Sequence, residues 1–446
     1  MEIQEKPKAT VQDAIALLTG LPEGDSEEAC IDRLQGVEQA KRILAAVQSE
    51  DTHKFTQRRK ARECQLGVPT SLQLKGIEAE VGLARGESPY VGAALTHTAI
   101  ALHTVLPNTL AALSQGVLSE YHARLVAQQT NHLSDEHRRE IDAAIARRLG
   151  GASSSQLRNL VQGHAYRLDR QASEQRAEKN KRGRRVYTDP ASDGQVYVTA
   201  EIPTLQGLAI LDTLTKLTNK RISSGEMLDA QGQPLTRDQI MADIFVELLT
   251  GQTTADAVTG EVVVLMHDTT FFGDDDLPAW IPGHGPLPAG AVKHWLSDPA
   301  AATFFRRMYT RPTDGQLVAM ESTRRRFPDG LAKMLKIRED ICATPWCNGP
   351  FQESDHRHRR ADGGPTSWVN ATGLCKRCNQ RKENRGWSYT GTPDELIVTT
   401  PTGHSYTVGT RPPLAEIRYW DSDPPPDNLR VDIGWPSVDV TWATAA

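Results

Sequence analysis

Apolar residues recur at Ile31, Leu34, Val37, Ile43, Leu44 and Val47, at a spacing near 3.5 residues. That period turns one side of a helix toward an apolar partner. Asp25-Ser26-Glu27-Glu28 resembles a capping box and marks where this helix opens. The helical pattern covers residues 10–66, and the charged stretch Lys54–Glu63 carries it outward. So long a helix can cover its apolar side within its own chain or against a second copy. The second option makes a homodimer through the N-terminal helices.

Residues 71–150 predict several shorter helices, punctuated by Pro69, Pro89 and Pro107 and by Gly116 followed by Ser119. Leu118, His122, Leu125 and Val126 share a face. Gly150-Gly151 ends one helix, and Ser153 with Gln156 caps the next. That helix runs into the basic tract Arg176–Arg185, either a solvated helix end or an arm for phosphate. The period then shortens. Val196, Tyr197, Val198 and Ile202 predict a strand, and Glu261–Met266 a buried one. Leu205–Ile222, Arg237–Leu249 (capped by Thr236) and Leu331–Ile337 return to helical spacing. Leu396-Ile397-Val398 predicts a short strand or hairpin, and Pro424-Pro425-Pro426 lies in an extended, disordered tail. The class is α+β, in four parts: a mainly helical region 1–185, a mixed region 186–335 with a small sheet, a small domain 336–390, and the tail 391–446.

Composition adds location rather than class. The formal net charge of the 446 residues is −5, which gives no global signature for nucleic acid. Between Lys336 and Arg385, however, ten Lys/Arg face six Asp/Glu, a local excess of +4 that suits phosphate. No apolar run reaches the ~18 residues of a membrane span, and the polar start lacks a signal core. Cys30 and Cys64 stand alone, which argues for a reduced, cytoplasmic setting. Asp274-Asp275-Asp276 reads as an exposed acidic loop rather than a cation site.

The chemistry concentrates in Cys342–Trp387. Cys342 and Cys347 form one close pair and Cys375 and Cys378 another, together four of the chain's six cysteines. Paired cysteines at two points of a short segment point to a tetrahedral structural Zn2+ site, with disulfides or unrelated thiols as the alternatives. A segment of about 45 residues buries little apolar surface, so a metal clip supplies a plausible fold. Asp355, His356, Asn370 and Asn379 are not needed for that clip. Their types suit a hard divalent cation, a base and groups that orient them. If Cys375–Glu383 is helical, Cys375, Cys378, Asn379 and Lys382 share one face.

Asp355-His356, Gly363-Gly364, Asn370 and Cys375-x-x-Cys378-Asn379 with Lys382 resemble the HNH endonuclease motif, in the variant that ends in Asn. The glycines lie eight and nine residues after Asp355, and Cys375 five after Asn370, as in that family. The segment Ala361–Ser367 and the layout of the whole chain resemble HNH modules fused to the domain-of-unknown-function 222 (13E12-repeat) family. The resemblance implies a zinc-stabilised ββα-metal module that cuts nucleic acid, with double-stranded DNA as the expected partner. His356 would be the general base, and Asp355 and Asn379 would hold Mg2+ or Mn2+. Asn370 would orient His356 through the backbone. Arg357, Arg359, Lys376, Arg377 and Lys382 would meet phosphate, with Arg324–Arg326 as a basic shoulder. The chain departs from the common pattern at Arg357-His358-Arg359, where apolar residues and a proline often follow the Asp-His pair. His358 shares a strand face with His356 and is an alternative ligand.

Overall fold

The computed structural model describes residues 10–192, 194–229, 232–251, 263–272, 276–296, 321–322 and 327–409. Glu261-Val262, Asp274-Asp275, Arg324–Arg326 and the Pro-rich tail lie outside the described residues. The chain divides into two units, 1–180 and 181–446, each described by itself.

The first unit is helical: α1 (Val11–Thr19), α2 (Glu27–Gln65), α3 (Ile77–Ala84), α4 (Pro89–Thr104), α5 (Pro107–Ser114), α6 (Glu120–Thr130), α7 (Asp135–Ile145), α8 (Ser154–Leu168) and α9 (Arg170–Arg182), whose last two residues fall in the second unit. Pro89 and Pro107 are first residues of helices, where the missing N–H costs nothing. The box predicted at Ser153 and Gln156 opens α8. Leu118, Leu125 and Val126 are buried in one core with Leu102, Leu106, Leu113, Ile141 and Leu157. Gly92 lets α4 approach α3, because a Cβ there would lie 2.2 Å from the Glu78 carbonyl oxygen. Asp142 of α7 accepts from the Asn108 and Thr109 N–H groups at 2.7 and 3.0 Å, satisfying the open N-terminus of α5.

Two expectations for this unit are corrected. The long helix opens where the box was expected, but Ser26 rather than Asp25 caps α2 by accepting from Ala29 N–H at 3.1 Å, and residues 20–26 of the helical stretch 10–66 are not helix. Among the described residues, the predicted apolar side of α2 is also uncovered. Ile31, Leu34, Val37, Ile43, Leu44 and Val47 are all exposed, and burial on α2 begins only at Ala45. The polar side makes the contacts instead. Gln39 donates to the Gln115 carbonyl, and Arg42 to those of Gly116 and Val117.

The second unit begins with the antiparallel hairpin β1 (Arg185–Pro190) and β2 (Val196–Glu201). Next come α10 (Thr204–Ser223) and α11 (Arg237–Thr250), which bury Leu214, Ile240 and Ile244 between them. Thr236 and Gln239 close a capping box on α11. The buried strand predicted over 261–266 is not formed by its described part. Within it, Leu265 makes one bridge, to Trp280. Short elements follow: α12 (Asp268–Phe272), β3 (Ala279–Ile281), β4 (Gly285–Leu287), α13 (Ala289–Leu296) and β5 (Glu321–Ser322).

The rest positions the site. α14 (Asp329–Glu339) packs on a two-stranded sheet of β6 (Glu353–His356) and β8 (Ala371–Leu374), with β7 (Thr366–Ser367) paired to β5. Phe327, Leu331, Leu335, Trp368 and Ala371 form their shared core. α15 (Lys376–Lys382) lies against β6 and β8. Where a short strand or hairpin was expected, residues 388–409 form a three-stranded meander of β9 (Ser388–Thr392), β10 (Glu395–Thr399) and β11 (Ser405–Gly409). Tyr389, Leu396 and Val398 are its buried positions.

Candidate functional site

Cys342, Cys347, Cys375 and Cys378 are all buried, and their sulfurs lie within 4.8 Å of one another. Cys347 Sγ is 3.8 Å from Cys375 Sγ and 3.6 Å from Cys378 Sγ. A tetrahedral ZnS4 centre with Zn–S near 2.3 Å requires sulfur separations of about 3.8 Å, so the four residues fit a zinc ion. Local structure makes the cluster. Cys342 N–H donates to the Gly349 carbonyl at 2.9 Å, closing the first loop. Gly349 leaves room for the sulfurs, since a Cβ there would be 3.4 Å from Cys347 Sγ. Cys375 caps α15, its sulfur accepting from Cys378 N–H at 3.4 Å. Hydrogen bonds from Cys342, Cys347 and Cys378 hold the Cys375 thiol below its ordinary range. Among the described residues, this is the group of His, Cys, Asp or Glu side chains that converges tightly enough for a metal.

The helix capped by the cluster faces β6. Glu353 and Asp355 are two residues apart on β6 and so share a strand face, while Asn379 and Lys382 share a helix face. The two faces meet in two rungs. Asn379 Nδ2 donates to Glu353 Oε2 at 2.6 Å. Lys382 Nζ donates to Asp355 Oδ2 and to the His356 carbonyl. Asp355 and His356, adjacent on the strand, still come together: Asp355 Oδ1 is 3.9 Å from His356 Nδ1. His356 Nε2 is 2.8 Å from Thr366 Oγ1. The imidazole is buried, its centroid 4.6 Å from that of the Phe327 ring.

Asn370 ties the connecting loop together. Its Oδ1 accepts from His358 N–H at 2.8 Å, and its Nδ2 donates to the His358 and Pro365 carbonyls at 2.9 and 2.8 Å. Gly364 packs beneath this network, where a Cβ would lie 2.0 Å from the His358 carbonyl oxygen.

The basic residues divide into two groups. Lys376 and Arg377 are exposed on α15, and Arg359 is half-buried with its guanidinium on the Lys382 carbonyl at 2.6 Å. Lys382 and Arg357 are turned inward instead of toward phosphate. Lys382 is bound to Asp355 as above. Arg357 is 4% exposed, donates to the Val369 and Thr392 carbonyls, and lies 4.0 Å from Glu339. Burial, with the neighbouring Arg338 charge, pushes its pKa down to about 10. His358 is exposed beyond the end of β6 and does not join His356.

Two groups were missed from the sequence. Glu353 is one; its signal was its place two residues before Asp355 on a predicted strand. The other is the buried set Arg338, Glu339 and Arg357. Arg338 donates to Glu339 and to the Trp368 and Ala371 carbonyls, and sits 4.3 Å over the Trp368 ring. Burial pushes the Glu339 carboxyl up against the pull of Arg338. Glu339→Ala would leave two guanidiniums facing each other in the core without a counter-charge. A loss of about 3–5 kcal/mol is expected in urea unfolding of this unit. An unchanged unfolding midpoint would show that the carboxylate contributes nothing there.

Residues 31–339 match the family model of the domain of unknown function DUF222, and residues 342–385 match that of the HNH endonuclease. No curated protein and no solved structure matches the chain. Arg338 and Glu339, at the end of the first match, are thus packed against Arg357 of the second. With more than half its length in the first match, the chain belongs to the DUF222 family and carries, after that domain, an HNH endonuclease domain.

Proposed function

We propose that the protein is a metal-dependent HNH endonuclease that hydrolyses phosphodiester bonds in double-stranded DNA. The observation that carries this reading is the packing of β6 on α15, which sets Asp355 beside His356 on the strand and ties Asn379 of the helix to Glu353, with the helix capped by a cysteine of the buried cluster. Cys342, Cys347, Cys375 and Cys378 would hold structural Zn2+. Asp355 and Asn379 offer oxygen donors of the kind Mg2+ or Mn2+ takes, and a cation there would compete with Lys382 for the Asp355 carboxylate. Such a cation, when bound, stabilises charge on the phosphate and on the leaving oxygen.

The chain's own residues supply the rest. His356 takes the proton from the attacking water on a ring nitrogen. His356 Nε2 meets Thr366 Oγ1, and Nδ1 lies on the side of Asp355. Asn370 fixes the loop that follows His356. Lys376 and Arg377 supply phosphate contacts from the exposed start of α15. A second reading, a zinc-stabilised nucleic-acid-binding protein of little activity, is favoured by the burial of His356 under Phe327. Supercoiled plasmid separates the two. The nuclease nicks it with Mg2+ or Mn2+ and not with EDTA, whereas the binding protein retards it without a cut.

The same reading assigns the N-terminal helices a partner, a second copy of this chain. The first 18 residues of α2, Glu27–Leu44, run roughly 27 Å before it enters the core. Its polar side faces the body there, which leaves its apolar residues, with Val11, Ile15 and Leu18 of α1, exposed. Light scattering is expected to give a dimer for the full chain and a monomer for the Leu34→Glu, Leu44→Glu variant. A monomer in both would remove the dimer. The exposed thiols Cys30 and Cys64 fit a cytoplasmic setting. Among the described residues, no helix is long and apolar enough to cross a membrane.

A further inference from the structure

We infer that Glu353 is a positioning residue for the catalytic cation, acting by fixing which end of the Asn379 amide it meets. The inference rests on the nuclease reading above. An asparagine amide has a donor end and an acceptor end of almost equal size, and only the oxygen can bind a cation. Nothing intrinsic to the side chain decides which end faces a site. An ionised carboxylate decides it, because it accepts and cannot donate. Glu353 Oε2 lies 2.6 Å from Asn379 Nδ2, so the amide nitrogen is committed to Glu353 and the oxygen is left on the other side.

The neighbouring rung carries the carboxylate with which that oxygen would share a cation. Asp355 follows Glu353 by two residues on the same strand face, and Lys382 follows Asn379 by three on the same helix face. The Asp355–Lys382 rung holds a positive charge beside the Glu353–Asn379 rung. Asp355 and Asn379 would hold the cation together, and Glu353 would set the amide's orientation before it binds. Both Glu353 and Asn379 are half-buried, which limits the water that would otherwise compete for their hydrogen bond.

The test uses the full-length protein and Mn2+, whose free concentration is read by electron paramagnetic resonance. Mn2+ prefers oxygen donors and leaves the thiolate cluster to zinc. Glu353→Gln puts an amide against an amide. Either end of Asn379 can then face the site, and Mn2+ affinity is expected to fall about tenfold or more, the usual effect of losing an orienting partner. Zinc content should stay unchanged. The exchanged pair Glu353→Gln with Asn379→Asp restores one donor facing one carboxylate. It is expected to bring affinity back to the wild-type level or above it. A purely structural tether would lower thermal stability in Glu353→Gln without a change in Mn2+ affinity, and that result overturns the inference. So does a loss of affinity that the exchanged pair fails to restore, which would make Glu353 a direct ligand. Wild-type protein that binds no Mn2+ overturns the nuclease reading along with it.

Discussion

Cys375→Ser is expected to release zinc and unfold residues 342–409 while residues 10–180 keep their helical structure. Serine is a good helix N-cap, so the hydrogen bond from Cys378 N–H has a ready substitute and the start of α15 is not lost for want of a cap. What the variant removes is the fourth thiolate. The site's three remaining sulfurs hold zinc far less tightly, and structural zinc contributes on the order of 10–16 kcal/mol to small domains that fold around it. The apolar core of this region is small, centred on Leu331, Leu335, Trp368 and Ala371, and cannot offset such a loss. The cluster also reaches outward. Thr344, between Cys342 and Cys347, lies with its hydroxyl 3.4 Å from the Tyr389 hydroxyl of β9, so the meander should loosen with the metal. Zinc content by atomic absorption and circular dichroism measure the two effects. Full zinc and an unchanged thermal transition would show that the cluster does not clip the fold.

The parts of this molecule that were legible in the sequence are those fixed by local chemistry. Thr236 and Ser153 cap α11 and α8 because a hydroxyl three residues before a glutamine is a local arrangement. The cysteine pairs converge because each pair is short and its ligand atoms are chemically distinctive. Direction was harder to read. Arg357 and Lys382 carry the charge expected of phosphate contacts, but whether a long basic side chain points outward depends on what packs opposite it. Glu339 opposes Arg357, and Asp355 opposes Lys382, and neither pairing follows from spacing. The intramolecular option for the α2 stripe was not met for a related reason. Its period was correctly helical, yet period says nothing about which side meets the body, and Gln39 and Arg42 took that side.

His356→Ala tests the chemistry directly, and its effect on cleavage should be the largest of any single side chain in the site. Removing a general base is expected to slow plasmid nicking by about 10²–10⁴-fold. DNA retention measured in EDTA should change little, because Lys376 and Arg377 are exposed on α15 and the imidazole is buried against Thr366 and Phe327. The substitution also takes a ring from beneath Phe327, so some loss of stability will accompany it. His356→Asn separates the two effects. It keeps a polar group beside Thr366 and much of the volume, but it has no nitrogen that titrates near neutrality. If both variants lose cleavage while only the alanine variant loses stability, the loss is chemical. If His356→Asn cuts at the wild-type rate, the proton is taken by another group. The burial of His356 adds one requirement to the positive outcome. A base that serves a phosphodiester must be reachable by water, so the Phe327 ring has to yield when DNA binds. Phe327→Ala, which uncovers the imidazole without touching it, should then cleave at least as fast as the wild type.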